Sequence, residues 1–300
     1  MTEIISGILP VIFIFALGVL LRLLGVFRQN HADDFIRLVF YVSLPGLIMN
    51  SITEVELTEE FAFLPLISAL IIFCMFALSY FAGRLFRLPR QKLGVFIIGT
   101  MILNNGFLLP FIIASFGDAG LSRIFIFDFS NGLLAFTFVY YHAIKYGKAS
   151  DDSGIPFRKF LYSPPVWALI LAITMNLTGL PMPVVASQFF RQLGNLTIPL
   201  LMLAIGIYFR PNLQRIYPIL TAILIRSGIG LLLGFLLAEL FGLEGLTRTI
   251  VLLGSSAPIG FNTLTFASLE KLDKEFAASL VSFGILTGLI LTPLLIYLLQ

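Results

Sequence analysis

The sequence predicts an all-α integral membrane protein whose ten transmembrane helices form an inverted 5+5 repeat. Three observations predict it. Long apolar runs alternate with short charged connections, the basic residues concentrate in every second connection, and landmarks of the first half recur in the second at one offset. With 58% hydrophobic and 12% charged residues among 300, the chain is too apolar for a soluble domain. The net charge of +3 then bears on orientation in the bilayer, and no nucleic-acid partner is expected. The single Cys74 excludes an intramolecular disulfide and a cysteine metal cluster. His31 and His142 fall near helix ends, where an interfacial role is the simpler reading than a ligand role.

Taken in order, the first run, Ile4–Leu24, is long enough to span the hydrocarbon core. Glu3 stands where a signal peptide would carry its basic residues, so this run reads as a retained helix. Spans two to five follow as Phe35–Ile52, Phe61–Phe81, Leu93–Phe116 and Leu121–Tyr141. The second half reads as Pro164–Leu180, Phe189–Phe209, Ile216–Leu240, Leu246–Leu269 and Phe276–Leu299, of which the first is the shortest. The connection from Gly147 to Leu161 is polar, carries Asp151-Asp152-Ser153-Gly154, and divides the chain nearly in half. The expected organisation is a first repeat over 1–146, a cytoplasmic linker over 147–160 and a second repeat over 161–300.

The connections set the orientation. Arg22 and Arg28 follow span one; Arg84, Arg87, Arg90 and Lys92 follow span three; Lys145, Lys148, Arg158 and Lys159 follow span five. Arg210 and Arg215 follow span seven, and Lys271 and Lys274 follow span nine. The alternate connections are acidic or uncharged, as with Glu54, Glu56, Glu59 and Glu60. The positive-inside rule therefore places both termini outside, with Arg123, Arg191 and Arg248 as exceptions. The expected location is the cell membrane, as a multi-pass protein.

An offset of 154 positions, the separation of Pro10 and Pro164, also aligns Gly25 with Gly179, Arg37 with Arg191 and Pro45 with Pro199. Five spans per copy is an odd number, so two such copies lie inverted in the bilayer. Arg37 and Arg191 read as interfacial anchors at helix ends, and Pro45 and Pro199 as bends in spans two and seven.

Two spans are interrupted. In span four, Leu103-Asn104-Asn105-Gly106-Phe107-Leu108-Leu109-Pro110 puts two amides, a glycine and a proline into apolar surroundings. Pro110 removes one helix donor and clashes with the carbonyl of Gly106. In span nine, Gly254-Ser255-Ser256-Ala257-Pro258-Ile259-Gly260-Phe261-Asn262 does the same, and the offset brings Asn104 onto Pro258. Pro258 suits the first turn of a new half-helix, with Asn262 one turn further on. Broken backbone in hydrocarbon must border protein or a watery cavity. Paired broken helices point to a transporter's binding site, and a half-helix start favours an anion such as a carboxylate. Asn104, Asn105, Gly106, Pro110, Ser255, Ser256, Pro258 and Asn262 are therefore the candidate substrate-binding residues. The plainer reading is a pair of proline kinks whose amides hold helices together.

Asp128 is the one carboxylate deep within a span, about 10 Å from the outer end, with Asn131 on the same face. It is a candidate for proton or cation coupling, together with Asn131. Arg226 lies at a similar depth in span eight. Two readings stand side by side: Asp128 and Arg226 form a buried structural pair, or Arg226 meets a substrate carboxylate while Asp128 handles a proton. No P-loop, nucleophile–base pair or metal-ligand spacing appears, so neither an enzyme nor a cofactor or metal is expected, beyond coupling to H+ or Na+.

The Asn104–Pro110 motif, Ala257-Pro258-Ile259-Gly260-Phe261-Asn262, Leu44-Pro45 and the ten-span plan together resemble the auxin efflux carrier family, the auxin/malate/malonate permease-like transporters, over essentially the whole chain. The resemblance implies a scaffold of spans one, two, six and seven, and a transport unit of the other six. It further implies that discontinuous helices four and nine cross near mid-membrane, with Asn104, Asn105, Pro110, Pro258 and Asn262 at the crossover. A homodimer through the scaffold helices is a further expectation from such folds. The linker of about fourteen residues is far shorter than the central loop of the plant hormone exporters, which moves the expected cargo from auxin towards a small carboxylate such as malate or malonate. The expected function is a secondary active transporter of a small organic anion by alternating access. The alternatives are a cation/proton antiporter using Asp128 and a membrane ligand sensor that transports nothing.

Overall fold

The computed structural model describes residues 2–53, 55, 57–147, 162–209 and 216–299. All regular structure among them is helical; the one pair of extended residues bonded across the chain is an isolated bridge between Leu103 and Ile259. Six helical runs are long and apolar enough to cross a membrane, and Leu9–Leu23 and Pro164–Thr178 are shorter apolar helices. The expected linker lies, apart from Gly147, outside the described residues.

Helix α1 (Thr2–Leu23) ends at Gly25, whose positive φ of 74° closes the last turn by letting Val26 N–H reach Leu21 O at 3.0 Å. Helix α2 (Gln29–Leu38) begins earlier than the hydropathy of span two indicates, because its first turns are polar. It continues through a π-turn at Val39–Ser43 into α3 (Leu44–Ile52), whose second residue is Pro45. A proline cannot donate to the turn before it, and the widened π-turn absorbs the missing bond. At the offset partner Pro199, α9 (Val184–Gly194) gives way to α10 (Thr197–Tyr208), so both prolines sit in the opening turn of a new helical segment. Helix α8 (Pro164–Thr178) starts with a proline and stops at Gly179, φ 66°.

These helices pack as one group. Gly18 of α1 and Gly206 of α10 bring the two backbones together, and a Cβ on Gly206 would lie 2.9 Å from Gly18 Cα. Gly46 of α3 and Gly194 of α9 do the same, with Gly194 lying against Leu47. Gly206→Ala is expected to cost about 1–3 kcal/mol, since the obstacles are main-chain atoms that cannot turn away. A lowered melting temperature of purified protein checks this; an unchanged one would mean that α1 is not held there.

The second group comprises α4 (Phe63–Leu85), α5 (Arg90–Met101), α6 (Asn105–Leu134), α7 (Tyr140–Tyr146), α11 (Ile216–Ile223), α12 (Gly230–Leu240), α13 (Gly245–Ser255), α14 (Asn262–Leu269) and α15 (Lys274–Leu299). Gly117 breaks α6 in two: its φ of 58° with ψ −153° is a conformation open to glycine, and the helix kinks there. Around both groups, large apolar side chains such as Phe81, Leu85, Val184, Val185, Leu240 and Ile290 face outward. Apolar exposure on this scale is what a lipid-facing surface requires.

Candidate functional site

The two interrupted helices meet each other. Helices α5, of 12 residues, and α13, of 11, are each about 17–18 Å long, too short to cross a 30 Å core alone. Where they stop, the chains run antiparallel. Asn104 N–H donates to Pro258 O at 3.0 Å and Gly260 N–H donates to Ile102 O at 3.3 Å. Gly260 leaves room for Ile102 Cβ, which a side chain would crowd at 3.3 Å. The crossing satisfies main-chain groups that lipid could not.

This geometry moves two sequence-based landmarks. The new half-helix of span four starts at Asn105, before Pro110, which lies inside α6. The half-helix of span nine starts at Asn262 instead of at Pro258, whose carbonyl is committed to Asn104. Proline's fixed φ suits the extended crossing as well as a first helical turn, so pairing across the crossing decides between them.

Side-chain amides complete the crossing. Asn104 caps α6 by accepting from Phe107 N–H at 3.3 Å, and its Nδ2 donates to Ile259 O at 3.3 Å. Asn131 clamps Leu103 on its other edge: Oδ1 accepts from Leu103 N–H at 3.1 Å and Nδ2 donates to Leu103 O at 3.0 Å. The amide thus behaves like one more residue of a strand. The same Nδ2 donates to Asp128 Oδ1 at 2.7 Å, and Asn105 Nδ2 donates to that oxygen at 2.6 Å. Asn105 is 2% exposed, and its side-chain carbonyl oxygen has no hydrogen-bond partner among the described residues.

A cavity of about 280 Å³ lies against this assembly, at the lower end of ligand-pocket sizes. Asn104, Asn105, Gly106, Asp128, Asn131 and Asn262 line it from the crossing side; Phe40, Leu44 and Ile48 face them from α3 and its π-turn. Pro110, Ser255, Ser256, Pro258 and Arg226 lie outside the lining. Among the described residues, Asp128 is its one ionisable side chain. The N-terminal turns of α6 and α14 both open onto it. The cavity reaches Ser163 and Pro165 at the start of α8. At the far end of α8, Asn176 Nδ2 donates to Ile52 O at 2.8 Å and Val55 O at 2.6 Å, and nearby Ser51 Oγ donates to Asp118 Oδ1 at 2.9 Å.

Asp128 and Arg226 do not pair. Among the described residues the ion pairs are Arg37–Asp34, Lys92–Asp273 and Arg248–Glu239. Arg226 is fully buried and gives its guanidinium to main-chain carbonyls: Nε to Ala257 O at 3.1 Å, Nη1 to Thr100 O at 3.3 Å, and Nη2 to Ser255 O. Similar depth was the ground for considering the pair, but depth leaves lateral position open. Sequence reasoning treated Asn131 as a companion of Asp128 and missed its grip on Leu103; an asparagine one turn from a buried carboxylate was the only signal.

Comparison with known proteins finds membrane transporters among its relatives. Residues 3–296 match the family model described as "Membrane transport protein". An uncharacterized transporter of Methanocaldococcus jannaschii is 28% identical over 282 residues, covering 91% of each chain. An uncharacterized transporter of Methanothermobacter thermautotrophicus is 26% identical over 294 residues, covering 96% of this chain and 95% of that one. With two interrupted helices bonded together beside a cavity in an apolar helical body, and a family match over nearly its whole length, the chain belongs to the membrane transport protein family, that of the auxin efflux carriers.

Proposed function

We propose that this protein is a secondary carrier that moves a small organic anion together with a proton, binding both in the cavity at the crossing. The observation that carries the reading is the charge balance of the lining. Each helix N-terminus contributes about half a positive charge, so the α6 and α14 ends together supply about one. Asp128 supplies one negative charge while ionised, and no basic side chain lines the cavity among the described residues. A carboxylate entering beside ionised Asp128 meets a like charge; once Asp128 is protonated, the two N-termini face the anion alone. Anion and proton then favour each other's binding, which is the linkage a symporter needs.

A proton on Asp128 also loosens its hold on Asn105 and Asn131, since hydrogen bonds to a charged acceptor are roughly twice as strong as neutral ones. Asn105 Nδ2 is then available to a substrate carboxylate. Malate, malonate and auxin-like acids are the cargo class. The ten spans as two inverted copies, with crossing helices four and nine, supply the two-sided symmetry that alternating access uses. The basic connections orient both termini outward, so the cavity's Ser163 end faces the cytoplasm and the Ser51–Asp118 tie closes the outer side. The scaffold's outward helices are the expected dimer surface.

The test is uptake by reconstituted protein. Labelled malate, malonate or an indole acid is expected to accumulate in vesicles under an inward proton gradient, and to collapse with a protonophore. A panel of such acids that shows no flux under any gradient would end the anion reading. One observation favours a second: a single carboxylate beside the unpartnered Asn105 carbonyl oxygen also suits a small cation exchanged for a proton. Sodium-dependent proton release from purified protein would establish that antiporter instead. Ligand binding without flux of either kind would mark a sensor.

A further inference from the structure

Arg226 is the feature that the proposed binding chemistry leaves unused. It is fully buried, it lies outside the cavity, and none of its hydrogen bonds goes to a carboxylate. Thr100 O lies at the C-terminal end of α5; Ser255 O and Ala257 O lie at and just past that of α13. The last carbonyls of a helix have no partner within it and carry the negative end of its dipole. The nearby hydroxyls are spent inside their own helices: Thr100 Oγ1 on Phe96 O and Ile97 O, Ser255 Oγ on Val251 O, Ser256 Oγ on Leu253 O. Two helix ends of about half a negative charge each sum to about one, which matches one guanidinium.

In transporters built on broken helices, such half-helix carbonyls are where a coupling cation binds. Here a side chain holds that place. The local structure is shaped for it: Arg226 sits in a π-turn, Leu224–Ile229, which offsets the helix by a residue, and Gly230 leaves open the space that a Cβ would take, against Ser255 O and 2.8 Å from Arg226 Nη2.

We propose that the Arg226 guanidinium is a built-in counter-cation that fills a monovalent-cation site formed by the carbonyls of Thr100, Ser255 and Ala257, and that removing it uncovers that site for a soluble cation. Arg226 is accordingly a positioning residue that holds the two half-helix ends together without touching the cargo. This rests on the crossing geometry; only its transport readout rests on the proposed carrier function.

The experiment compares wild type with Arg226→Ala and Arg226→Gln by melting in detergent and by uptake in vesicles. Without additive, Arg226→Ala is expected to melt roughly 10 °C lower, as uncompensated buried charge at two helix ends implies. Its uptake is expected to fall roughly 10²-fold, because the crossing loses its alignment. Low guanidinium or sodium raises its melting temperature and restores part of its uptake; urea, which has the same shape without charge, does neither, and wild type responds to none of them. Should Arg226→Ala not be recovered folded, Arg226→Gln gives the same readout, since its neutral amide leaves the charge of the helix ends unmatched and open to guanidinium or sodium. A variant that melts like wild type, or that guanidinium and urea affect alike, would overturn the proposal. Cation-specific melting without anion flux in any form of the protein would uphold it and reject the carrier reading.

Discussion

Asn131→Leu is expected to lower stability by about 2–4 kcal/mol and to abolish uptake, the largest structural effect of any single substitution near the cavity. The side chain makes three hydrogen bonds: two to the main chain of Leu103 and one to Asp128. Leucine keeps the number and branching of the side-chain heavy atoms, so the outline is roughly retained and the loss is chiefly polar. It strands the N–H and C=O of Leu103, which is 3% exposed. The cost in a bilayer falls below the sum of three bonds in water, because the unfolded chain also finds partners there. Asn131→Asp separates shape from chemistry: it keeps the outline but removes both donors and places a second carboxylate beside Asp128. It is expected to fare no better than leucine near neutral pH. Melting of the purified variants decides the matter, and a wild-type melting temperature for Asn131→Leu would remove the clamp from the account of the crossing.

Asp128→Asn is expected to leave stability nearly unchanged and to eliminate concentrative uptake. An asparagine oxygen still accepts from Asn105 and Asn131, so the local network survives in weakened form. The variant is a fixed copy of the protonated site: it binds anion but carries no exchangeable proton. Exchange of labelled for unlabelled anion across the vesicle is therefore retained, while accumulation driven by a proton gradient is not. The sign with pH follows from the same logic. Wild-type anion binding strengthens as pH falls, because protonation removes the like charge, whereas binding to Asp128→Asn is flat with pH. The measurement is anion affinity against pH for both proteins, alongside exchange and net uptake. A wild-type affinity independent of pH, or accumulation by the variant, would show that the proton goes elsewhere.

Comparison of the two residues first considered as partners shows where sequence reasoning reaches its limit. Counting along a helix yields depth in the membrane, at 1.5 Å per residue, and by depth Asp128 and Arg226 are neighbours. Depth is one coordinate of three. Which helix faces which is set by small-residue contacts such as Gly18 with Gly206 and Gly230 with Ser255, and these are combinations of distant positions that no local pattern encodes. The structure accordingly separates the two charges, giving Asp128 to side-chain amides and Arg226 to helix ends. Ser255 and Ser256 illustrate the same limit: read as ligands, their hydroxyls are turned back onto Val251 and Leu253 of their own helix.

What the sequence determined alone is therefore local and periodic. Apolar runs mark where the chain crosses lipid, because hydration free energy is a sum over nearby residues. Asn104–Pro110 and Gly254–Asn262 mark where two helices are interrupted, because glycine, proline and short amides act on their own backbone. Tertiary structure decided everything that depends on distant groups meeting. It set the restarts at Asn105 and Asn262, the bridge from Leu103 to Ile259, the clamp by Asn131 and the binding of two helix ends by Arg226. The physical reason is that an unpaired main-chain group in hydrocarbon must find its partner wherever the fold supplies one, and that choice is made in space, not along the chain.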